Sequence, residues 1–413
     1  MKKTLFFLLL TALMLLTALP ALAEDAADIT EQCTFKYTYT KYKITRLYDR
    51  KYNTVYESDK VRAPYMQVTA PKGQKLYGLY VCFASEKIQP WAVQVQKGGE
   101  WVTVREGGEP YAHIYVALDG VDTARITLTS EKAVSLVISE LFAFGPGDVP
   151  AYVQQWQPAP EKADLLVLAG HPDDEILFFG GAIPYYAAER GMNVVVAYMT
   201  CNYMDRRSEL LNGLWEMGLR TYPDIGTLTD RWSKTLKTGY EKWSNSEKNE
   251  AEGRKNADRR IVELYRRYQP EVVLTHDENG EYGHGAHRAC ADAAVRCAGT
   301  AADPAQYADS AQAYGPWQVK KVYLHLYGEN AIEMDWDQPL SAFGGRTAFE
   351  VAQDGYAWHV SQHDKGQDDP DTGKFELFRV EPRDSKYSCY RFGLAYTVVG
   401  PDAEKNDFFE NIP

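Results

Sequence analysis

Between Cys33 and Phe144 the apolar positions come in short runs rich in Tyr, Val, Thr and Ile, each broken by turn residues: WAVQVQ and WVTV flank KGGE, and ARITLTS precedes VSLVISELFAFG. Runs of this length and composition predict short strands joined by tight turns, the rhythm of an antiparallel β-sandwich. The pattern stops in GPGDVPAYVQQWQPAPEKAD, where Pro and Gly occur without apolar periodicity, so a connecting strap is expected there. From Asp164 onward the period changes. DLLVLA and NVVVAYMT are unbroken apolar runs, as strands buried on both faces require, and GGAIPYYAAERG between them reads as a helix closed by Gly191. RRSELLNGLWEMGL and ADRRIVELYRRY are amphipathic at helical spacing, EVVLTH and KKVYLHLYG read as further strands, and GAHRACADAAVRCAG as a helix. This alternation predicts a doubly wound, mostly parallel α/β sheet, in which ligands gather at the carboxyl ends of the strands. The expected division is a leader over 1–23, the sandwich over 24–150, a linker over 151–162 and the α/β domain over 163–413.

The leader is read from Lys2 and Lys3, an apolar stretch of about 15 residues from Leu5 to Leu19, and Ala21-Leu22-Ala23 as a cleavage site. That stretch is short against the roughly 20 residues of a spanning helix. A mature, exported chain starting at Glu24 is therefore expected, secreted or held at the cell surface, with no later membrane span. The 413 residues, 45% hydrophobic and 25% charged, have the composition of a globular protein with room for two domains. Net charge is −12, and losing Lys2 and Lys3 with the leader takes it to −14, which argues against nucleic acid as a partner. No two of the six cysteines form a close CxxC pair. Cys33 and Cys82 could be joined in an exported protein, or stay as buried thiols.

The candidate chemistry sits where strands end. LLVLAGHPDDE places His171, Asp173, Asp174 and Glu175 directly after the first strand of the α/β region, with Pro172 ending the ladder. One acidic residue would suffice to cap the following helix. Three beside a histidine point to a site. The second cluster, THDENGEYGHGAHRA, ends a strand at His276 and carries His284 and His287 into a helix. A catalytic zinc takes three ligands drawn from His and carboxylate and keeps one position for water. His171, Asp174 and His287 would make such a set, with His284 and Asp173 left for proton and charge work. His276 and His325 read as supporting or core histidines at strand ends, and His359 as structural.

At these residues the chain resembles the LmbE-like or PIG-L family of zinc-dependent de-N-acetylases, over about Ala163 to Gly400. The motifs that carry the resemblance are GHPDDE, EYGHGAH, the RRSELLNGLWEMG helix and HVSQ at His359 to Gln362. The resemblance implies one zinc per chain on His171, Asp174 and His287, Asp173 as general base, and a protonated His284 facing the oxyanion. It implies substrate contacts at Arg206, Tyr282 and Asp230, and an N-acetylglucosamine-type sugar or glycan as substrate. Where the family often has AHPDDE this chain has Gly170, and HGAH stands for the frequent HPDH. Arg206 has an alternative reading as a helix-surface partner of Glu209 or Glu216. The first domain resembles galactose-binding-like or discoidin-type sandwiches, which implies carbohydrate binding. Two other classes fit the same residues: a zinc amidase or peptidase acting on cell-wall peptide, and a noncatalytic glycan-binding protein.

Overall fold

Nine strands build the first region, numbered in chain order: β1 (Thr34–Tyr37), β2 (Tyr56–Glu57), β3 (Tyr65–Thr69), β4 (Leu76–Phe83), β5 (Trp91–Lys97), β6 (Glu100–Gly107), β7 (His113–Val121), β8 (Thr123–Leu128) and β9 (Val137–Phe144). The computed structural model describes residues 24–412 except 202, 247 and 369–372; the expected leader lies outside the described residues. Two antiparallel sheets, ordered β1-β3-β8-β5-β6 and β2-β9-β4-β7, face each other. Alternation supplies the core between them. Leu79, Val81 and Phe83 of β4 meet Val93 and Val95 of β5 on the inside, while Tyr80 and Cys82 point to the outer face. KGGE makes the β5–β6 hairpin, with Gly98 and Gly99 at φ 60° and 90°, the positive values that a tight two-residue turn needs at both positions.

The second region is a seven-stranded sheet of β10 (Leu165–Ala169), β11 (Val194–Thr200), β12 (Asp224–Leu228), β13 (Val272–Thr275), β14 (Lys321–His325), β15 (Ala331–Glu333) and β18 (Arg391–Thr397), with a separate hairpin of β16 (Gly366–Asp368) and β17 (Phe375–Leu377). Its order is β12-β11-β10-β13-β14-β18-β15. The first five strands are parallel, and β18 runs antiparallel to both its neighbours. The unbroken apolar runs divide by their period of two: Leu165, Val167 and Ala169 pack on one face, and Leu166 and Leu168 on the other. Chain order proceeds outward from β10 to β11 and β12, then returns to β13 on its other side. The crevice at that reversal, between β10 and β13, is where open α/β sheets bind ligands.

GGAIPYYAAERG departs from the expected α-helix. Pro184 to Glu189 winds as a π-helix, with the Arg190 N–H donating to Tyr185 O at 3.0 Å; Pro184 has no N–H to offer the preceding turn. All six cysteines are buried free thiols, so Cys33 and Cys82 are not joined.

The two regions meet through polar and apolar contacts. Gln154 of the strap joins His113 Nδ1 of β7 (2.7 Å) to Asn212 of the helix Met204–Glu216 (2.7 Å). Arg207 of that helix donates to the carbonyls of Ser85 (3.2 Å) and Glu86 (2.9 Å) in the β4–β5 loop. Tyr152 lies against Phe142 and Phe144, and Val153 and Ala26 complete the same cluster. Ile29 donates to Ala143 O (2.9 Å) and Gly145 to Ala27 O (2.9 Å), so residues 24–29 belong to the sandwich. A fragment of residues 24–157 should therefore unfold cooperatively with a β-type circular dichroism spectrum. A fragment of residues 33–144, stripped of both covers, should melt about 5–10 °C lower; equal melting points would show that the strap adds no stability.

Candidate metal and hydrolytic site

The strand-to-helix turn after β10 is held by backbone bonds before any side-chain chemistry. Gly170 O accepts from the Thr200 N–H (3.0 Å) and its hydroxyl (3.0 Å). Asp173 takes a left-handed conformation, φ 108° and ψ −29°, which costs a non-glycine residue about 1–3 kcal/mol. It stands at the N-cap of α1 (Asp174–Leu177) but makes no side-chain capping bond. Asp173 is thus not spent on capping. Asp174 turns back instead, its Oδ2 accepting from the His171 N–H at 2.7 Å.

Two ring nitrogens and both oxygens of the Asp174 carboxylate then converge. His171 Nδ1 lies 3.0 Å from Asp174 Oδ2 and 3.2 Å from His287 Nε2, and His287 Nε2 lies 3.3 Å from Asp174 Oδ1. Tetrahedral ligands about 2.0–2.1 Å from a zinc-sized ion stand roughly 3.3 Å from one another. The triangle has those dimensions and is buried.

Two other histidines crowd the same point, and hydrogen bonding separates their roles. His276 Nε2 accepts the Gly170 N–H (2.9 Å), and its Nδ1 faces Glu281 Oε2 (2.8 Å). No lone pair is left for an ion. His284 Nδ1 accepts the Ala286 N–H (3.1 Å) as the cap of the helix Gly285–Thr300, so the neutral ring carries its proton on Nε2 and donates rather than ligates. Burial, with the neighbouring His287 and His171 rings, holds the His284 pKa far below its ordinary value. The expected protonated His284 is replaced by a neutral donor.

Behind the triangle stands Glu281, which the sequence reading did not single out. Its carboxylate meets His276 Nδ1 (2.8 Å), His325 Nδ1 (2.7 Å) and the Asp277 N–H (3.0 Å). It also lies 2.9 Å from His287 Nδ1, although the ring N–H is not aligned on it as a hydrogen bond. A carboxylate behind a ligating histidine fixes its tautomer and raises its basicity. Burial alone would raise the Glu281 carboxyl, but the His276, His287 and His325 contacts hold it well below the ordinary range. His287, against the pull of burial, is drawn up to about 10 by Asp174 and Glu281. The signal in the sequence was a carboxylate in the same glycine-rich loop as HGAH. His276 and His325 take the supporting places expected of them.

Arg206 points inward. Its guanidinium binds Asp173 Oδ1 (2.9 Å), Asp230 Oδ2 (3.2 Å) and the Pro172 carbonyl; Glu209 turns elsewhere, accepting from the Ser361 N–H and hydroxyl at 2.7 Å each. The helix-surface reading of Arg206 is overturned. Burial raises the Asp173 carboxyl despite Arg206. Asp230 Oδ1 stands 3.6 Å from His171 Nε2. Glu175 accepts the Asp173 N–H (3.0 Å), and burial lifts its own carboxyl to about 7. His359 is buried 3.9 Å from Glu175. The Tyr282 ring packs on Phe378 and Tyr387 with its hydroxyl donating to Glu381, and Phe178 contacts both Tyr282 and His287. A cavity of about 1190 Å³ runs between the sandwich and the β12 edge. It takes in Cys201 and Arg207 but none of the histidine cluster, so the chemistry is located by the donor atoms and not by cavity size.

A buried His-Asp-His triangle at a switch point, with a carboxylate and an imidazole donor beside it, defines a metal-dependent hydrolase site. Residues 166–298 match the family described as PIG-L, GlcNAc-PI de-N-acetylase, and the chain belongs to that family. It is 30% identical over 206 residues to a 1D-myo-inositol 2-acetamido-2-deoxy-alpha-D-glucopyranoside deacetylase of Frankia alni, covering 44% of this chain and 68% of the relative. With the corresponding Rhodococcus jostii deacetylase it shares 33% over 195 residues, 41% of this chain and 63% of the relative. The chain thus spans about two thirds of the length of these relatives. Among solved structures, a conserved protein of Thermus thermophilus aligns over 48% of this chain and 80% of its own, at 20% identity and a TM-score of 0.33. CpGH89CBM32-6 of Clostridium perfringens aligns over 29% of this chain and all of its own, at 14% and 0.25.

Metal content tests the triangle. Asp174→Ala and His287→Ala should purify without a bound ion, whereas Glu281→Gln should weaken binding by about 10–100-fold. Because Asp174 and Glu281 draw the His287 pKa upward against burial, metal uptake near neutrality should release a proton, and affinity should fall as the pH is lowered. Titration calorimetry in buffers of different ionisation enthalpy reads that proton; pH-independent affinity would show that His287 is not held protonated before the ion binds.

Proposed function

We propose that the protein is an exported, zinc-dependent de-N-acetylase acting on N-acetylglucosamine-type sugars or glycans. The observation that carries this reading is the fit of His171, Asp174 and His287 to a tetrahedral ion, with Asp173 and the His284 Nε2–H beside it. Export rests on the leader pattern of residues 1–23. Zinc on these ligands would polarise the acetamide carbonyl and acidify a water at its open position.

The protein groups divide the remaining work. Asp173 takes the proton of the attacking water; burial raises its basicity, and Arg206 fixes the carboxylate so that no reorganisation is needed. The His284 Nε2–H donates to the acetamide oxygen as that oxygen gains negative charge. A neutral donor in a buried site is effective there because its dipole is already oriented. Asp173, once protonated, is the nearest store of a proton for the departing amine. Asp230 pairs with Arg206 and stands 3.6 Å from His171 Nε2, beside the groups that would meet the sugar.

Mature protein supplied with zinc should release acetate from N-acetylated glycans, each product lighter by one acetyl group. New peptide ends from a cell-wall peptide, without acetate, would favour the amidase class. Asp173→Asn should keep its metal and lose about 10²–10⁴ in rate. His284→Ala should also keep its metal and lose roughly 10²–10³. Loss of metal from Asp173→Asn, with metal retained in Asp174→Ala, would reverse the two aspartate roles.

A further inference from the structure

The loop after β12 presents an aromatic ring at the mouth of the site. Trp232 is 50% exposed, and its ring meets His284 edge-on, with centroids 4.4 Å apart at 87°. A half-exposed tryptophan is ordinarily a mobile surface side chain, but this one sits on a loop pinned at both ends. On one side Asp230 is bound to Arg206 (3.2 Å). On the other, the carbonyl of buried Ser233 accepts the Gly285 N–H (2.7 Å). A Cβ at Gly285 would fall 2.5 Å from Ser233 Oγ and 2.5 Å from Thr235 O. The HGAH glycine therefore lets this loop press on the start of the histidine helix, and Trp232 is carried with it to His284.

We propose that Trp232 is the stacking wall of a second sugar subsite, which takes a pyranose linked to the acetylated ring, so that the enzyme is built for oligosaccharide chains rather than single sugars. The inference rests on the de-N-acetylase reading above. A pyranose offers an apolar C–H face with a polar rim. Trp232 offers a half-exposed indole on a segment whose neighbours in sequence, Arg231 and Lys234, are exposed and charged, where a protein partner would call for a contiguous apolar patch.

The test compares GlcNAc with tri-N-acetylchitotriose on full-length mature protein supplied with zinc. Wild type should prefer the trimer, and Trp232→Ala should cut the ratio of kcat/KM, trimer over monomer, about tenfold through KM, with Trp232→Phe keeping most of it. An equal fractional loss on both substrates would make Trp232 a positioning residue for His284, and an unchanged ratio would remove the subsite; either overturns the proposal. Calorimetric binding of the trimer is measured in parallel. If wild type hydrolyses neither sugar yet binds the trimer in a Trp232-dependent way, the subsite stands and the reaction assignment fails. Binding that ignores the substitution overturns the subsite.

Discussion

The carboxyl edge of the sheet is organised by the cost of burying charge. His171, His276 and His287 share a buried crevice with Asp173, Asp174, Glu175 and Glu281, and each ionised group there would cost several kcal/mol if left unpaired. Neutrality is reached locally. Asp174 is held well below the ordinary carboxylate range by the three histidines against the effect of burial, and Glu281 by the rings it touches. Asp174 and Glu281 draw the His287 pKa upward, and a divalent ion in the triangle would supply positive charge to the same two carboxylates. The arrangement exists only because β10 and β13 are neighbours pointing the same way, a consequence of chain order reversing at that point.

The helix Met204–Glu216 ties this centre to the rest of the molecule. Consecutive residues face different tasks: Arg206 reaches Asp173 and Asp230, while Arg207 clamps the β4–β5 loop of the sandwich. Ser208 stands 3.4 Å from His113 Nε2, Glu209 holds Ser361 of the HVSQ stretch, and Asn212 receives Gln154. A displacement of the sandwich would therefore be felt by the guanidinium that fixes the candidate base. Burial drives the His113 pKa down to about 4, so this joint carries no titrating charge near neutrality.

What could be read in the sequence follows the strength of the local physical signal. Unbroken apolar runs announced β10, β11, β13 and β14, and two polar clusters after such runs announced the ligands, because a strand end is where a buried charge needs a reason. The edge strands β12 and β15, and β18 beside the latter, were silent: they are short, mixed or partly exposed, and their pairing is decided by tertiary contact. Supporting roles were equally hidden. Glu175 stood in the first cluster and Glu281 in the HGAH loop, but what each carboxylate holds is set only by what the fold places around it. The charge state of His284 could not be read either, since it depends on one backbone N–H, that of Ala286, occupying Nδ1.

The two glycines by which this chain departs from the usual family motif are explained by proximity rather than chemistry. At Gly170 a Cβ would lie 3.1 Å from Asp174 Oδ2 and 3.3 Å from His276 Nε2, so an alanine there requires the ligand and its supporting ring to give by a few tenths of an ångström. At Gly285 the obstruction is more severe, because the atoms met include a backbone carbonyl, and Gly239 approaches Gly285 O from the other side. A proline at 285 would also remove the N–H that anchors the Ser233 carbonyl. The smaller residues bring a neighbouring ring or loop closer to the metal triangle in each case. The departures leave every ligand in place and change the walls around it, which is where one member of a hydrolase family comes to differ from another in what it accepts.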